Sequence, residues 1–396
     1  MAEILLVNVA LPYFSYSGRH FLPYQLQPLT FNTKHGTLPR DYVLVVGDSY
    51  AAGMGSETTY NTSRTSTTTN HYLELLHQQT DRDFLNLGIE GAGNLRGFFL
   101  HPVSVFEALH DTAFVRTLDS PSIIIALFYE GNDFIDNLEF ASRHLDFQLT
   151  DSTYQSRELD HRMRNLIKKY RSGFQDERPR LFAGMRFLLR AVWREYRQNY
   201  ANQSSRVEFP SPESPNGIRR GLKSSSVPDN LALPPISLDS WQTTIATDLM
   251  VRSLLLLRSK MNPQSVYLFY IPSVATCYES FEGKSIVLGG ESARLQSKDF
   301  SLVDQMRYLQ SRFNPDKQGQ VDMSISQDTI RAANRFLVEQ TRLSLRETAI
   351  KFVDLTVAFQ NAARKTAIHG PTDWDHLNPI GQKLLADEIE KVIFQL

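Results

Sequence analysis

The sequence predicts an α/β fold with a doubly wound, five-stranded parallel sheet, and three observations carry that expectation. Five short apolar runs, Tyr42–Val46, Asp83–Leu87, Ser122–Phe128, Ser265–Tyr270 and Ile350–Val353, each have the length of a buried strand. Their near-continuous hydrophobicity, without strict alternation, suits parallel strands covered on both faces. Helical or irregular stretches separate them, which implies βαβ units.

Taken in order, the first two strands flank a helical segment around Asn70–Gln78, and the second and third flank another around Pro102–Leu118. The alternation then pauses. Leu159–Tyr200 has helical periodicity with many basic residues. Its expected apolar stripe is Leu166, Ile167 and Tyr170, then Phe187, Leu188, Ala191 and Val192. Gln203–Pro235 is rich in Ser, Pro, Asn and Gly and reads as a loop or mobile linker. Leu238–Met261 returns as a long helix, with Leu249, Val251, Leu254, Leu255 and Leu256 among its apolar positions, stopped by Asn262-Pro263. Ser273–Gln327 is irregular, and Asp328–Glu347 is an amphipathic helix leading to the fifth strand. The last helix is Pro379–Phe394, with proline near its start. The simplest parse is one α/β domain over residues 1–396, with an N-terminal extension over 1–40 and a large, mostly helical insertion over 138–235.

Composition narrows the function. The 396 residues are 41% hydrophobic and 21% charged, as in a folded globular protein. A net charge of −1 gives no basic footprint for nucleic acid. The single cysteine, Cys277, excludes an intrachain disulfide and a cysteine-based zinc cage. The apolar stretch Ile4–Phe14 is shorter than the ~20 residues of a bilayer span and has no basic region before it. It reads as a first core element or as the tail of a membrane anchor whose upstream part is missing. The basic stretch of Arg162, Arg164, Lys168, Lys169 and Arg171 reads either as a solvated helix face or as a lid or acidic-polymer contact.

Ligands of open α/β sheets bind beyond the carboxyl ends of the strands. After strand one comes Gly47-Asp48-Ser49-Tyr50, where a serine in a tight strand-to-helix turn can present its hydroxyl to a cleft. This is not the Gly-x-Ser-x-Gly elbow. After strand two, Gly88-Ile89-Glu90-Gly91-Ala92-Gly93 lets backbone approach a ligand closely. After strand three, Glu130-Gly131-Asn132-Asp133 offers an asparagine amide as a neutral donor to a developing oxyanion. Near the C-terminus, Asp373-Trp374-Asp375-His376 places a carboxylate three residues before an imidazole that it can orient. A metal role for His376 is the alternative, but the other nine histidines show no partner spacing such as His-x₃-His.

Together these four blocks resemble the SGNH (GDSL-type) hydrolase superfamily. The likeness runs from about residue 42 to the end, outside the middle insertion. It implies a three-layer α/β/α flavodoxin-like fold and a serine hydrolase or acyltransferase that requires no metal or organic cofactor. Ser49 would be the nucleophile, His376 the general base and acid, and Asp373 the orienting acid, with Asp375 as an alternative. The oxyanion hole would be the Ser49 N–H, the Gly91 N–H and the Asn132 side chain, with Gly88 and Gly93 competing for the second place. The expected substrate is an O-acyl ester, foremost an O-acetyl ester of carbohydrate. A polysaccharide O-acetyltransferase and a non-catalytic carbohydrate-binding protein are the alternatives. A weaker likeness of Phe128–Asp133 and Ile271-Pro272-Ser273 to envelope-polysaccharide proteins points to the bacterial cell envelope or periplasm.

Overall fold

The computed structural model describes residues 26–36, 38–55, 71–111, 118–147, 156–174, 232, 234–236, 238–278, 286–288, 323–325, 327–370 and 373–395. Five strands form one all-parallel sheet: β1 (Tyr42–Val46), β2 (Asp83–Asn86), β3 (Ile123–Tyr129), β4 (Ser265–Ile271) and β7 (Ile350–Asp354). Their order is β2-β1-β3-β4-β7, the flavodoxin-like order with a switch point between β1 and β3. All five expected strands are present, each within a residue or two of its expected ends. Two three-residue strands, β5 (Ile286–Leu288) and β6 (Met323–Ile325), pair antiparallel as a separate ribbon within the stretch expected to be irregular.

Both faces of the sheet are covered, and the period-2 geometry of a strand divides its residues between two cores. Tyr42, Leu44 and Val46 of β1, Ile124, Ala126 and Phe128 of β3, and Val266, Leu268 and Tyr270 of β4 enter one core. Val43, Val45, Ile125, Leu127, Tyr129, Tyr267, Phe269 and Ile271 enter the other. Uniformly apolar strands are thus the sequence signature of a middle layer.

Helices supply the two outer layers. Against the first face lie a π-helical turn (Leu95–Leu100) running into α3 (His101–Asp111), then α4 (Asp133–Leu145), α5 (Ser156–Phe174), α6 (Ser240–Met261) and α8 (Gln327–Leu345). Against the second lie α1 (Ser49–Ala52), α2 (Tyr72–Thr80), α7 (Val274–Cys277), α9 (Thr356–Ala363) and α10 (Pro379–Ile393). Helix α6 begins with a reciprocal capping box between Asp239 and Gln242 and ends at Asn262 in the left-handed conformation. Among its expected apolar positions Leu249 and Leu254 are fully buried, whereas Leu255 is exposed.

Helices α4, α7 and α9 were not expected from the sequence. Leu138, Ala141 and Leu145 of α4 fall inside the segment expected as an insertion, yet all three are buried in the first core. In α5 the fully buried residues are Leu159 and Met163, while Leu166, Ile167 and Tyr170 are only partly buried. Arg162 folds back over the Phe147 ring and pairs with Glu158. The segments with Phe187, Leu188, Ala191 and Val192, with Gln203–Leu231, and with the N-terminal Ile4–Phe14 lie outside the described residues. No helix among the described residues is long and apolar enough to cross a membrane.

Candidate active site

The carboxyl ends of β1 and β3 meet the loop before α10, and the candidate residues gather there. At the end of β1 the chain turns sharply at Gly47, whose φ is +149°. A Cβ at Gly47 would stand 2.7 Å from the Leu127 carbonyl oxygen and 2.8 Å from the Ala51 Cβ, so only glycine passes between β3 and the new helix. Asp48 caps that helix, its carboxylate accepting from the Tyr50 N–H at 2.9 Å. Ser49 is therefore the first residue of α1, at its amino end, and is buried with 7% exposure. A backbone N–H in that position lacks an intrahelical acceptor and can serve an oxyanion.

The histidine loop is built as tightly. His369 and Leu377 form an isolated antiparallel bridge, and the Gly370 N–H donates to the Asp373 carbonyl at 3.0 Å, closing residues 369–377 into a compact loop. Asn378 then caps α10, accepting from the Ile380 and Gly381 N–H groups, while its own amide donates to the Ala367 and His369 carbonyls. Within this frame Asp373 Oδ2 lies 2.8 Å from His376 Nδ1. Asp373, rather than Asp375, is thus the carboxylate that holds the imidazole.

Two contacts bring the loop to the Ser49 turn. The Tyr50 hydroxyl donates to the Asp375 carbonyl at 2.8 Å, and the Tyr50 and His376 rings lie 5.7 Å apart. Tyr50 also stacks on Tyr129 from the end of β3, at 4.1 Å. The residue after Ser49 is consequently a tether between all three segments, and the sequence gives no local signal for it. Among the described residues no hydrogen bond joins Ser49 Oγ to His376 Nε2. In substrate-free sites such bonds are often long and tighten on binding.

The electrostatics favour a base. Burial is the largest single influence on His376 and opposes its charged form. The hydrogen bond and charge of Asp373, with the charges of Asp48 and Asp375, outweigh it and raise the His376 pKa above 6.5. Asp373 is lowered: burial works against its charge, but the bond to His376 and two backbone N–H groups prevail. Behind the dyad, His369 is fully buried and pushed down to about 3, by burial first and by His376 second, so it stays neutral.

The expected oxyanion donors sort by hydrogen-bond accounting. The Gly88 N–H is already committed to Asn86 Oδ1 at 2.8 Å, and Gly88 is wedged against α1, where a Cβ would stand 2.3 Å from the Ala52 nitrogen. Gly91 is exposed, with φ +62° and open space around its Cα, and its N–H meets no acceptor among the described residues. Gly93 is pressed against the backbone of α4 at Asp136. Asn132 precedes α4 with its carboxamide beside Asp48, and its Oδ1 is buried without a partner among the described residues.

Two buried carboxylates, one capping α1 and one opening α4, stand in the sequence blocks without being explained by them. Asp48 and Asp133 are both fully buried. Asp133 Oδ2 accepts the Tyr129 N–H at 2.7 Å, whereas Asp133 Oδ1 and Asp48 Oδ2 have no hydrogen-bond partner among the described residues. Burial raises both pKa values, and the charge of Asp48 raises Asp133 further.

No protein-family model matches the chain, and no curated protein matches it. A solved structure aligns with 89% of this chain and 97% of its own, at a TM-score of 0.34 and 9% identity, a likeness too slight to carry a functional argument.

Proposed function

We propose that the protein is a serine esterase acting on O-acyl esters, foremost O-acetyl esters of carbohydrate. The observation that carries this reading is the Asp373–His376 pair, 2.8 Å apart, on a loop tied through the Tyr50 hydroxyl to the turn in which Ser49 opens a helix. His376 takes the Ser49 proton as the hydroxyl oxygen attacks the ester carbonyl. The negative charge that develops on the carbonyl oxygen is met by the Ser49 N–H, with the Gly91 N–H and the Asn132 amide within the same end of the sheet. His376 then returns the proton to the leaving alcohol, and the acyl group remains on Ser49 as an ester. Water activated by His376 releases the acid. No step in this sequence uses a metal or organic cofactor.

The test is turnover of p-nitrophenyl acetate, followed by acetylated oligosaccharides, by wild type, Ser49→Ala and Asp373→Asn. Ser49→Ala is expected to abolish burst and turnover. Asp373→Asn is expected to lower kcat by about 10⁴-fold, the loss seen where an orienting carboxylate is neutralised. Equal turnover by wild type and Ser49→Ala would refute the reading.

A further inference from the structure

A second cluster of ligating side chains lies at the opposite end of the sheet, where β2 begins. His35 comes from the segment before β1, His77 from the last turn of α2, and Asp83 from the first position of β2. Their ligand atoms, one from each residue, all lie within 4.8 Å of one another. The residues are 42 and six positions apart in sequence, so no local spacing announces them.

The cluster is pre-arranged in the way that metal-binding histidines are. His77 Nδ1 lies 2.7 Å from the Arg82 carbonyl oxygen. A carbonyl only accepts, so Nδ1 carries the hydrogen and Nε2 is left to present its lone pair, the usual outer-shell device for fixing a ligand tautomer. Asp83 Oδ1 is fixed by the His35 N–H at 2.8 Å and faces His35 Nδ1 at 2.7 Å. Asp81 Oδ1 faces the other nitrogen of the same ring at 3.0 Å. The His35 and His77 rings stand edge to face at 4.8 Å. The Arg82 guanidinium is turned away, lying over the Phe394 ring and toward Asp41.

From this geometry we propose that His35, His77 and Asp83 bind a divalent transition-metal ion of the Zn²⁺ type, with Asp81 on the far nitrogen of the His35 ring. Two imidazoles with a carboxylate suit such an ion and not Mg²⁺ or Ca²⁺, which take oxygen ligands. Bonds of about 2.0–2.1 Å require the three groups to close by roughly an ångström. The half-exposed His35 side chain has room to do so. The ion would be structural. It joins three chain segments at the sheet edge, where Thr33 already pairs with Phe84 through two hydrogen bonds, Phe84 N–H to Thr33 O at 2.8 Å and Thr33 Oγ1 to Phe84 O at 2.7 Å.

The experiment is calorimetric titration of the chelator-treated full chain with ZnCl₂, beside thermal unfolding with and without the metal, for wild type, His77→Ala and Asp83→Asn. Wild type should bind one Zn²⁺ saturably, and its Tm should rise with metal concentration. Each variant should unfold like metal-free wild type in chelator, bind at least about 10-fold more weakly, and lose the Tm rise. MgCl₂ should do nothing to any of them. Absence of saturable Zn²⁺ binding by wild type, or equal affinity in wild type and both variants, would overturn the proposal. Esterase turnover is not a readout here, so failure of this site and failure of the active-site reading are separable.

Discussion

Buried carboxylates after the neighbouring strands β1 and β3, at the carboxyl end of the sheet, are treated in two opposite ways. Glu130, at the end of β3, is fully buried and receives four donors: the Tyr270 hydroxyl at 2.9 Å, the Ser273 N–H at 2.8 Å, the Thr276 hydroxyl at 2.8 Å and the Asn334 amide at 2.7 Å. Asp48 and Asp133, equally buried, are less well supplied: Asp48 accepts the Tyr50 N–H and lies beside the Asn132 amide, Asp133 accepts the Tyr129 N–H and lies beside the Asn94 side chain, and each leaves one oxygen without a hydrogen-bond partner among the described residues. A buried charge is tolerated when donors replace the lost water and is costly when they do not. Glu130 therefore reads as a clamp that joins β3, β4, α7 and α8. The aspartate pair, one member of which precedes Ser49 in the chain, is instead held under electrostatic stress, with burial raising both pKa values, the kind of arrangement expected where a site gives up stability for chemistry.

The comparison predicts opposite responses to neutralisation. The largest effect is expected for Glu130→Ala, which leaves four buried donors without their acceptor. At about 1–3 kcal/mol for each unsatisfied group, even partial rearrangement should cost at least about 3 kcal/mol in urea unfolding. Glu130→Gln keeps one oxygen but turns an NH₂ toward two donors, and a loss of about 1.5–3 kcal/mol is expected. A loss below 0.5 kcal/mol in both variants, on the order of a surface substitution, would remove the clamp from the account.

Asp133→Asn should go the other way, by about 1 kcal/mol. The folded-state pKa of Asp133 lies well above 3.8, so the folded protein holds a proton that the unfolded chain has released. Wild-type stability therefore falls as pH rises from 3.8 through the folded value, and the asparagine variant does not share that fall. The two should match near pH 3 and diverge at neutral pH, with the variant the more stable. Parallel curves of stability against pH would contradict the strain assigned to the pair.

The smallest effect is expected for Asp48→Asn. Asparagine keeps an oxygen for the Tyr50 N–H and removes one of the charges that raise His376. The acidic limb of kcat/KM, where His376 must lose its proton to act as a base, should move down by a fraction of a unit. An unmoved limb would separate Asp48 from the base.

The sheet was legible in the sequence because its three inner strands, β1, β3 and β4, are buried on both faces and apolar at nearly every position, while the edge strands are mixed, β7 exposing Lys351 and Asp354. Helix α4 was less legible, although its buried residues Phe134, Leu138, Ala141 and Leu145 have helical spacing, because it opens within the polar Gly131-Asn132-Asp133 block. Leu255 stands among the apolar positions of α6 in a run of four leucines, yet it is exposed. Such a run circles the helix, so one of its members must face outward. Strands β5 and β6, three residues each, fall below the length at which a pattern exists. At the site, spacing suffices to pair Asp373 with His376. It does not disclose the Tyr50 bond to Asp375, 325 residues away, nor choose among Gly88, Gly91 and Gly93, where the decision rests on which N–H is already taken.

The most direct test of the central claim is whether Ser49 is an activated nucleophile. Intact-mass measurement after treatment with a fluorophosphonate, followed by peptide mapping, would be made on wild type, Ser49→Ala and His376→Ala. The account predicts one adduct per chain on Ser49 in wild type, none in Ser49→Ala and labelling slowed by orders of magnitude in His376→Ala. A folded wild type that takes no label, or takes it equally well without His376, would contradict it.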